Sequence, residues 1–240
     1  ITGTPIHNKV ADVYAYFELI RCKYAPRLEL NRSLHSYVLQ RSKEDAAIVL
    51  PSIRENTIVV EWKCPIERQF ALGIHGNNAY SRSEIDALSY EVAGDHVLKR
   101  ILRARQSCIS NNLYAEHVMD IVEGTDVKRE VISKIVGAQS KLEDVAKVIV
   151  ERSGNGRKKL VFCTFRGEID ILCKLLSVRG VNGVVVFDGR ISQRKRAEIL
   201  SNNLADILLI QIQTGCEGLN LQQFKEVYFI SAHWNPSIED

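Results

Sequence analysis

The chain has no apolar run approaching the ~18 residues of a membrane-crossing helix, no CxxC pair, no internal repeat and no low-complexity stretch. The first absence excludes a helical membrane anchor within these residues. The second, with no Cys/His grouping at zinc-like spacing, excludes ribbons and fingers built on a structural metal. The six cysteines, Cys22, Cys64, Cys108, Cys163, Cys173 and Cys216, lie far apart. They read as reduced, buried thiols of an intracellular, reducing compartment. Excess charge is also scarce: 32 Lys and Arg against 29 Asp and Glu leave +3, so charge alone does not indicate a nucleic-acid partner. The start shows neither an initiator Met nor a charged-then-apolar leader, and Ile1 reads as a cut rather than a beginning.

What is present is core material. Apolar residues make up 45% of the 240 and charged ones 25%, ordinary for one large globular domain or two modest ones. From about residue 140 short apolar runs alternate with helical stretches. Ser140-Lys141-Leu142-Glu143 reads as a capping box, with Leu142, Val145, Ala146 and Ile149 lining one helical face. Gly154-Asn155-Gly156 ends that helix. Lys159–Phe162 is a predicted strand, and Ile169, Leu172, Cys173 and Leu176 mark a helix stopped by Gly180. Val184–Phe187 is a strand, Ser192 caps a helix through Leu200, and Ile207–Ile212 and Val227–Ile230 are strands. Continuous apolar strands separated by helices predict an open parallel sheet covered on both faces.

Residues 21 to 139 have another texture. Glu84 to Arg105 is periodic in Ile85, Leu88, Val92, Val97, Ile101 and Leu102, with Gly94 dividing it. Thr57–Trp62 is a β-prone strip, while Gly73 to Asn78 and Glu123 to Asp126 read as loops. The region is predicted to be largely helical with one short strand.

In an open parallel sheet, ligands bind beyond the carboxyl ends of the strands. Polar and glycine-rich residues gather there after each predicted strand. They are Thr164, Arg166 and Gly167 after the first, Asp188-Gly189-Arg190 after the second, Thr214 to Asn220 after the third, and His233-Trp234-Asn235-Pro236 after the fourth. Any one of them is explained by an ordinary turn; four at one edge point to a site. The glycines of 215–220 allow close approach of a phosphate or ribose to the main chain. Asn220 can brace that loop or bond a sugar.

Thr2-Gly3-Thr4-Pro5-Ile6-His7-Asn8, followed by Asp12, Tyr14, Phe17 and Leu19, is similar to motif III of the Swi/Snf type of superfamily-two helicases, with His7 in place of the usual Gln. Arg41-Ser42-Lys43 before Leu50-Pro51, Gln69, and Leu102-Arg103-Ala104-Arg105-Gln106-Ser107-Cys108 resemble elements that follow it. Lys159 to Phe165 resembles motif IV, Asp188-Gly189 with Arg196 the next element, and Thr214 to Leu221 motif V. Trp234-Asn235-Pro236 and Asp240 look like the approach to motif VI.

The resemblance implies a division into the end of RecA-like lobe one (1–20), a helical insertion (21–139), and RecA-like lobe two (140–240). It implies that Thr2, Gly3, Thr4 and Pro5 couple the lobes, and that Gly215, Glu217, Gly218 and Asn220 face ATP. It implies that Thr164, Arg166, Thr214 and Arg196 contact DNA phosphates. Each role has a plain alternative: turn geometry for the threonines and glycines, a solvated loop for Thr164 and Arg166, and a carboxylate partner for Arg196. The implied partner is double-stranded DNA, gripped without sequence preference, with nucleosomes or other DNA-bound proteins as substrates. ATP and Mg²⁺ are the implied cofactors, and the nucleus or a viral replication site the implied location. No residue is a metal-ligand candidate.

Within these residues there is no GxxxxGK[ST] phosphate loop and no DExH-like box, and an arginine-rich motif VI is expected beyond Asp240. The sequence therefore reads as part of a motor that hydrolyses ATP only when whole. Two rivals stand beside it. One is an inactive helicase-like scaffold that holds DNA or a partner. The other is an unrelated α/β nucleotide-binding enzyme, which needs its phosphate loop in the first βα turn, where Phe165-Arg166-Gly167-Glu168 offers one glycine.

Overall fold

The computed structural model describes residues 12–21, 36–39, 41, 45–49, 51–76, 83–94, 96–123, 129–201, 205–215 and 219–232. The expectations for Thr2 to Pro5, Glu217, Gly218 and Trp234 to Pro236 lie outside the described residues. The chain divides between Ile58 and Val59 into two compact units.

In the first unit, α1 (Asp12–Leu19) buries Val13 and Phe17, one helical turn apart. Phe17 meets Tyr37 edge-on at 6.4 Å. The β-prone strip does not form a strand: residues 57–62 run without regular structure, with Ile58 57% and Val59 80% exposed. Strand propensity needs a partner edge and a face to bury, and the strip has neither among the described residues.

The second unit opens with five helices: α2 (Pro65–Ile74), α3 (Glu84–Ala93), α4 (Val97–Ser107), α5 (Ala115–Val122) and α6 (Arg129–Gly137). Pro65 starts α2, where its missing N–H is no loss, and Ser83 caps α3 by accepting from the Asp86 N–H at 3.2 Å. Gly94, with φ of 70°, ends α3 as the sequence suggested. Phe70, Ile74, Leu88, Val92, Tyr114, Val118, Ile132 and Ile135 form the shared core. Gly73 is not a loop residue, as predicted, but part of α2. A Cβ there would sit 2.0 Å from Ser89 Oγ of α3, so glycine serves close helix contact rather than a turn.

The predicted capping box is also corrected. Helix α7 (Ser140–Glu151) begins at Ser140 itself, and the Glu143 N–H bonds the Gln139 carbonyl at 2.9 Å. The cap comes from afar. Glu67 of α2, 1% exposed, accepts from both the Ser140 N–H and its hydroxyl, while Ser140 Oγ accepts from the Lys63 N–H at 3.0 Å. Glu143 faces Lys63 instead, at 3.2 Å. Burial pushes the Glu67 carboxyl up, against the pull of these donors.

Four strands follow: β1 (Lys159–Cys163), β2 (Val184–Phe187), β3 (Ile207–Gln211) and β4 (Glu226–Phe229), all parallel, in the order β2-β3-β1-β4. Helix α8 (Arg166–Val178) joins β1 to β2, and α9 (Gln193–Ser201) joins β2 to β3. β3 ends one residue earlier than predicted because Ile212 opens a short helix to Gly215, and β4 starts and ends one residue earlier. Val161, Ile207 and Leu209 face α7 and α8 through Leu142, Ile149, Leu172 and Leu176. Leu160, Leu208 and Ile210 point the other way, to Phe187, Ile199, Leu200 and Phe224. Both faces are dry, which explains continuous apolar strands. Leu113, between α4 and α5, packs against the helical core and against the first of these layers.

The amino edge of the sheet is closed by a charged knot. Glu226, 8% exposed, accepts from Arg152, from Asn155 Nδ2 at 2.8 Å and from the Tyr228 hydroxyl at 2.9 Å. The ammonium of Lys159, whose side chain is 2% exposed, lies 3.6 Å away. Arg152 and its companions hold the Glu226 carboxyl down to about 2, against its burial. Burial and that carboxylate push the Tyr228 phenol up to about 12.

Of the cysteines described, Cys163 is buried, Cys64 and Cys173 are half-buried and Cys108 is exposed, all as free thiols. The expectation of uniformly buried thiols fails at Cys108, which caps the carboxyl end of α4.

Candidate functional site

The strand registers set Cys163 opposite Gln211, Phe162 opposite Phe229 and Phe187 opposite Ile210. The strands thus end level, and the residues just past them share one edge. Thr164 is 7% exposed there. Its hydroxyl lies 3.1 Å from Ser231 Oγ beyond β4, and its carbonyl accepts from Gln211 Nε2 at 3.5 Å. Thr164 is therefore a tie between strand ends. Arg105 of α4 reaches the same edge, donating to the Ala232 carbonyl at 3.5 Å.

Glu168, three residues into α8, is the main group that sequence reasoning missed. Fully buried, it accepts from the Thr164 and Phe165 N–H groups at 2.8 and 3.0 Å through one oxygen. The other oxygen has no hydrogen-bond partner. Burial pushes the carboxyl up to about 7, against those two N–H groups and the positive charges of Lys141 and Arg105. The signal was legible: a Glu at the third position of a helix is the returning half of a capping box. Its carboxylate also occupies the N–H groups that a phosphate loop would offer, so this turn does not fit a nucleotide phosphate. Among the described residues, no three His, Cys, Asp or Glu side chains form a metal-ion group.

The β1–α8 turn and the β2–α9 turn meet. Asp188, fully buried, accepts from the Arg190 N–H at 2.9 Å and from its Nε at 2.8 Å. Arg190 then forks onto Asp170 of α8, at 3.0 and 2.8 Å. Burial works to raise the Asp188 carboxyl, but the Arg190 bonds and the charges of Arg190 and Arg166 outweigh it and leave it low. Arg196 donates to the carbonyls of Ile191 at 3.1 Å and Asp188 at 3.0 Å, and lies over the Phe187 ring at 5.6 Å. It braces the turn through carbonyls, where the alternative to a DNA contact had been a carboxylate partner. Arg166 has neither hydrogen bond nor ion pair among the described residues, and it sits beside Gly189.

Thr214 and Gly215 close the short helix after β3. Asn220 lines an open groove of about 670 Å³ with Leu200 and Ser201 of α9, Leu219 and Lys225. Its Oδ1 accepts from the Gln222 N–H at 3.4 Å, the bracing role the sequence allowed.

Residues 140–240 match the family described as helicase conserved C-terminal domain. The chain is 26% identical over 267 aligned positions to "Probable global transactivator" of Orgyia pseudotsugata multicapsid polyhedrosis virus, covering all of this chain and 50% of that protein. It is 31% identical over 107 positions to "DNA repair protein RAD5B" of Arabidopsis thaliana, covering 42% of this chain and 8% of that protein. The chain thus spans half or less of these relatives. The C-terminal part of the Fun30 ATPase domain superposes with a TM-score of 0.54 at 13% identity, over 80% of this chain and 79% of that one. The parallel sheet with helices on both faces has the fold of that domain, and residues 140–240 are the part similar to the helicase C-terminal family.

Proposed function

We propose that these residues are the second-lobe portion of an ATP-dependent double-stranded DNA translocase that remodels DNA–protein complexes or chromatin. The observation that carries this reading is Arg166, a guanidinium with no hydrogen bond or ion pair among the described residues, at the carboxyl edge of a sheet that matches the helicase C-terminal family, where ligands of open α/β sheets bind. DNA grip here draws on one guanidinium with Thr214 and nearby backbone N–H groups, so it needs no large basic patch and carries no base information. Thr164 and Arg196 act behind that surface, tying strand ends and turn.

ATP and Mg²⁺ belong to the whole motor. The β1–α8 turn, filled by Glu168, leaves no cradle for nucleotide phosphate there. Gly215, Glu217, Gly218 and the Thr2–Pro5 turn are proposed to line and couple the nucleotide cleft. The proposed site of action is the nucleus or a viral replication compartment.

The deciding measurement is ATP hydrolysis by the full-length protein with and without random-sequence duplex. The expected result is stimulation by DNA that fades as salt rises. Hydrolysis indifferent to DNA removes the motor. DNA binding with no hydrolysis selects the scaffold reading.

A further inference from the structure

Gly189 raises a question its backbone does not answer. It is not among the glycines with positive φ, so its conformation admits any residue. The obstacle to a side chain is Arg166: a Cβ at Gly189 would lie 2.8 Å from Nη2, 3.7 Å from Cζ and 3.9 Å from Nε. The missing side chain leaves room for a guanidinium carried on the neighbouring turn.

We propose that Gly189 is a positioning residue that seats Arg166 at the sheet edge, ready for a backbone phosphate of DNA; this rests on the DNA reading above. The floor beneath Arg166 is held firmly. Arg196 grips the carbonyls on either side of the turn, at Asp188 and Ile191. Arg190 ties the turn to Asp170, four residues along the same helix that begins with Arg166. Arg190 also does something subtler. Asp188, beside Gly189, and Asp170, one turn along α8 from Arg166, are both taken by Arg190, with Nη2 2.6 Å from Asp188 and 2.8 Å from Asp170. A neighbouring cation has satisfied the carboxylates that would otherwise capture Arg166. Its donors stay turned to solvent, and phosphodiester oxygens match their planar fork.

The obstructing atoms are the far end of a flexible side chain, so Gly189→Ala displaces Arg166 without unfolding the turn. The test measures duplex binding by the full-length protein across salt concentrations for wild type, Arg166→Ala, Gly189→Ala and the double variant. Arg166→Ala is expected to weaken binding to all sequences alike and reduce the salt slope by about 1. Gly189→Ala should do the same in part, and the double variant should bind no worse than Arg166→Ala. Without DNA, the Asp188 carboxyl followed by NMR should titrate higher in both single variants, because Arg166 has left or moved. Gly189→Ala with an unchanged slope and unchanged Asp188 titration, or an effect fully additive to Arg166→Ala, overturns the positioning role. A wild-type protein that binds no duplex overturns the DNA reading instead, and the Asp188 titration still decides whether Gly189 seats Arg166.

Discussion

The two edges of one four-stranded sheet treat a buried carboxylate in opposite ways. At the amino edge Glu226 is surrounded by Arg152, Asn155, Tyr228 and Lys159, and its carboxyl is held down to about 2. At the carboxyl edge Glu168 has two backbone N–H groups on one oxygen and nothing on the other, and burial pushes it up to about 7. The amino edge is a completed structure. The carboxyl edge keeps a carboxyl raised by burial and, in Arg166, a guanidinium with no hydrogen bond or ion pair among the described residues.

Breaking the amino knot should have the largest effect. Glu226→Gln leaves the buried Lys159 ammonium without its carboxylate and should cost roughly 3 kcal/mol in chemical denaturation. The same variant should change the acid limb. A carboxyl lowered from 4.5 to about 2 contributes stability that is present above pH 4.5 and lost as pH falls through 2. Glu226→Gln should lose that dependence; an unaltered acid midpoint contradicts the knot.

Glu168 should behave in reverse. Its carboxyl is raised from 4.5 to about 7, so its contribution is fully present below pH 4.5 and lost as pH rises through 7. Thermal melts of wild type from pH 5 to 9 should decline across that window, and melts of Glu168→Gln should be flatter. Glu168→Ala, which strands two N–H groups, should cost about 2 kcal/mol at pH 5. Asp188→Asn, which weakens the anchor of Arg190, is expected to cost about 1 kcal/mol. Smallest of all is Arg166→Ala, expected within about 0.5 kcal/mol of wild type, because this side chain is held by no bond. A large loss there would show that Arg166 is a strut and not a free contact.

The sheet was legible because its signal is local. Apolar runs at Leu160, Val185 and Leu208 need both faces covered, and the helices between them supply the cover. The errors arose where a partner lies far away in sequence. Ser140 looks like a helix cap until Glu67, 73 positions earlier, takes its hydroxyl. Gly73 looks like a loop until Ser89 of the next helix is seen against it. The strip 57–62 has strand-forming residues, but propensity alone does not supply an edge to pair with. At the site, the sequence put Arg166 and Arg196 forward as DNA contacts and offered a carboxylate brace as the alternative for Arg196; in the structure Arg196 grips backbone carbonyls. It passed over Glu168 and the Arg190 bridge because their meaning depends on burial and on two turns meeting.

Leu113 gives the helical bundle a mechanical role. It belongs to both apolar layers, and its Cδ2 lies where a Cβ on Gly167 would be only 3.0 Å away. Any tilt of the bundle relative to the strands must push or release this one methyl at the second residue of α8. Leu113 thus places a contact of the bundle with the sheet layer one residue from Arg166, on the backbone that carries the arginine.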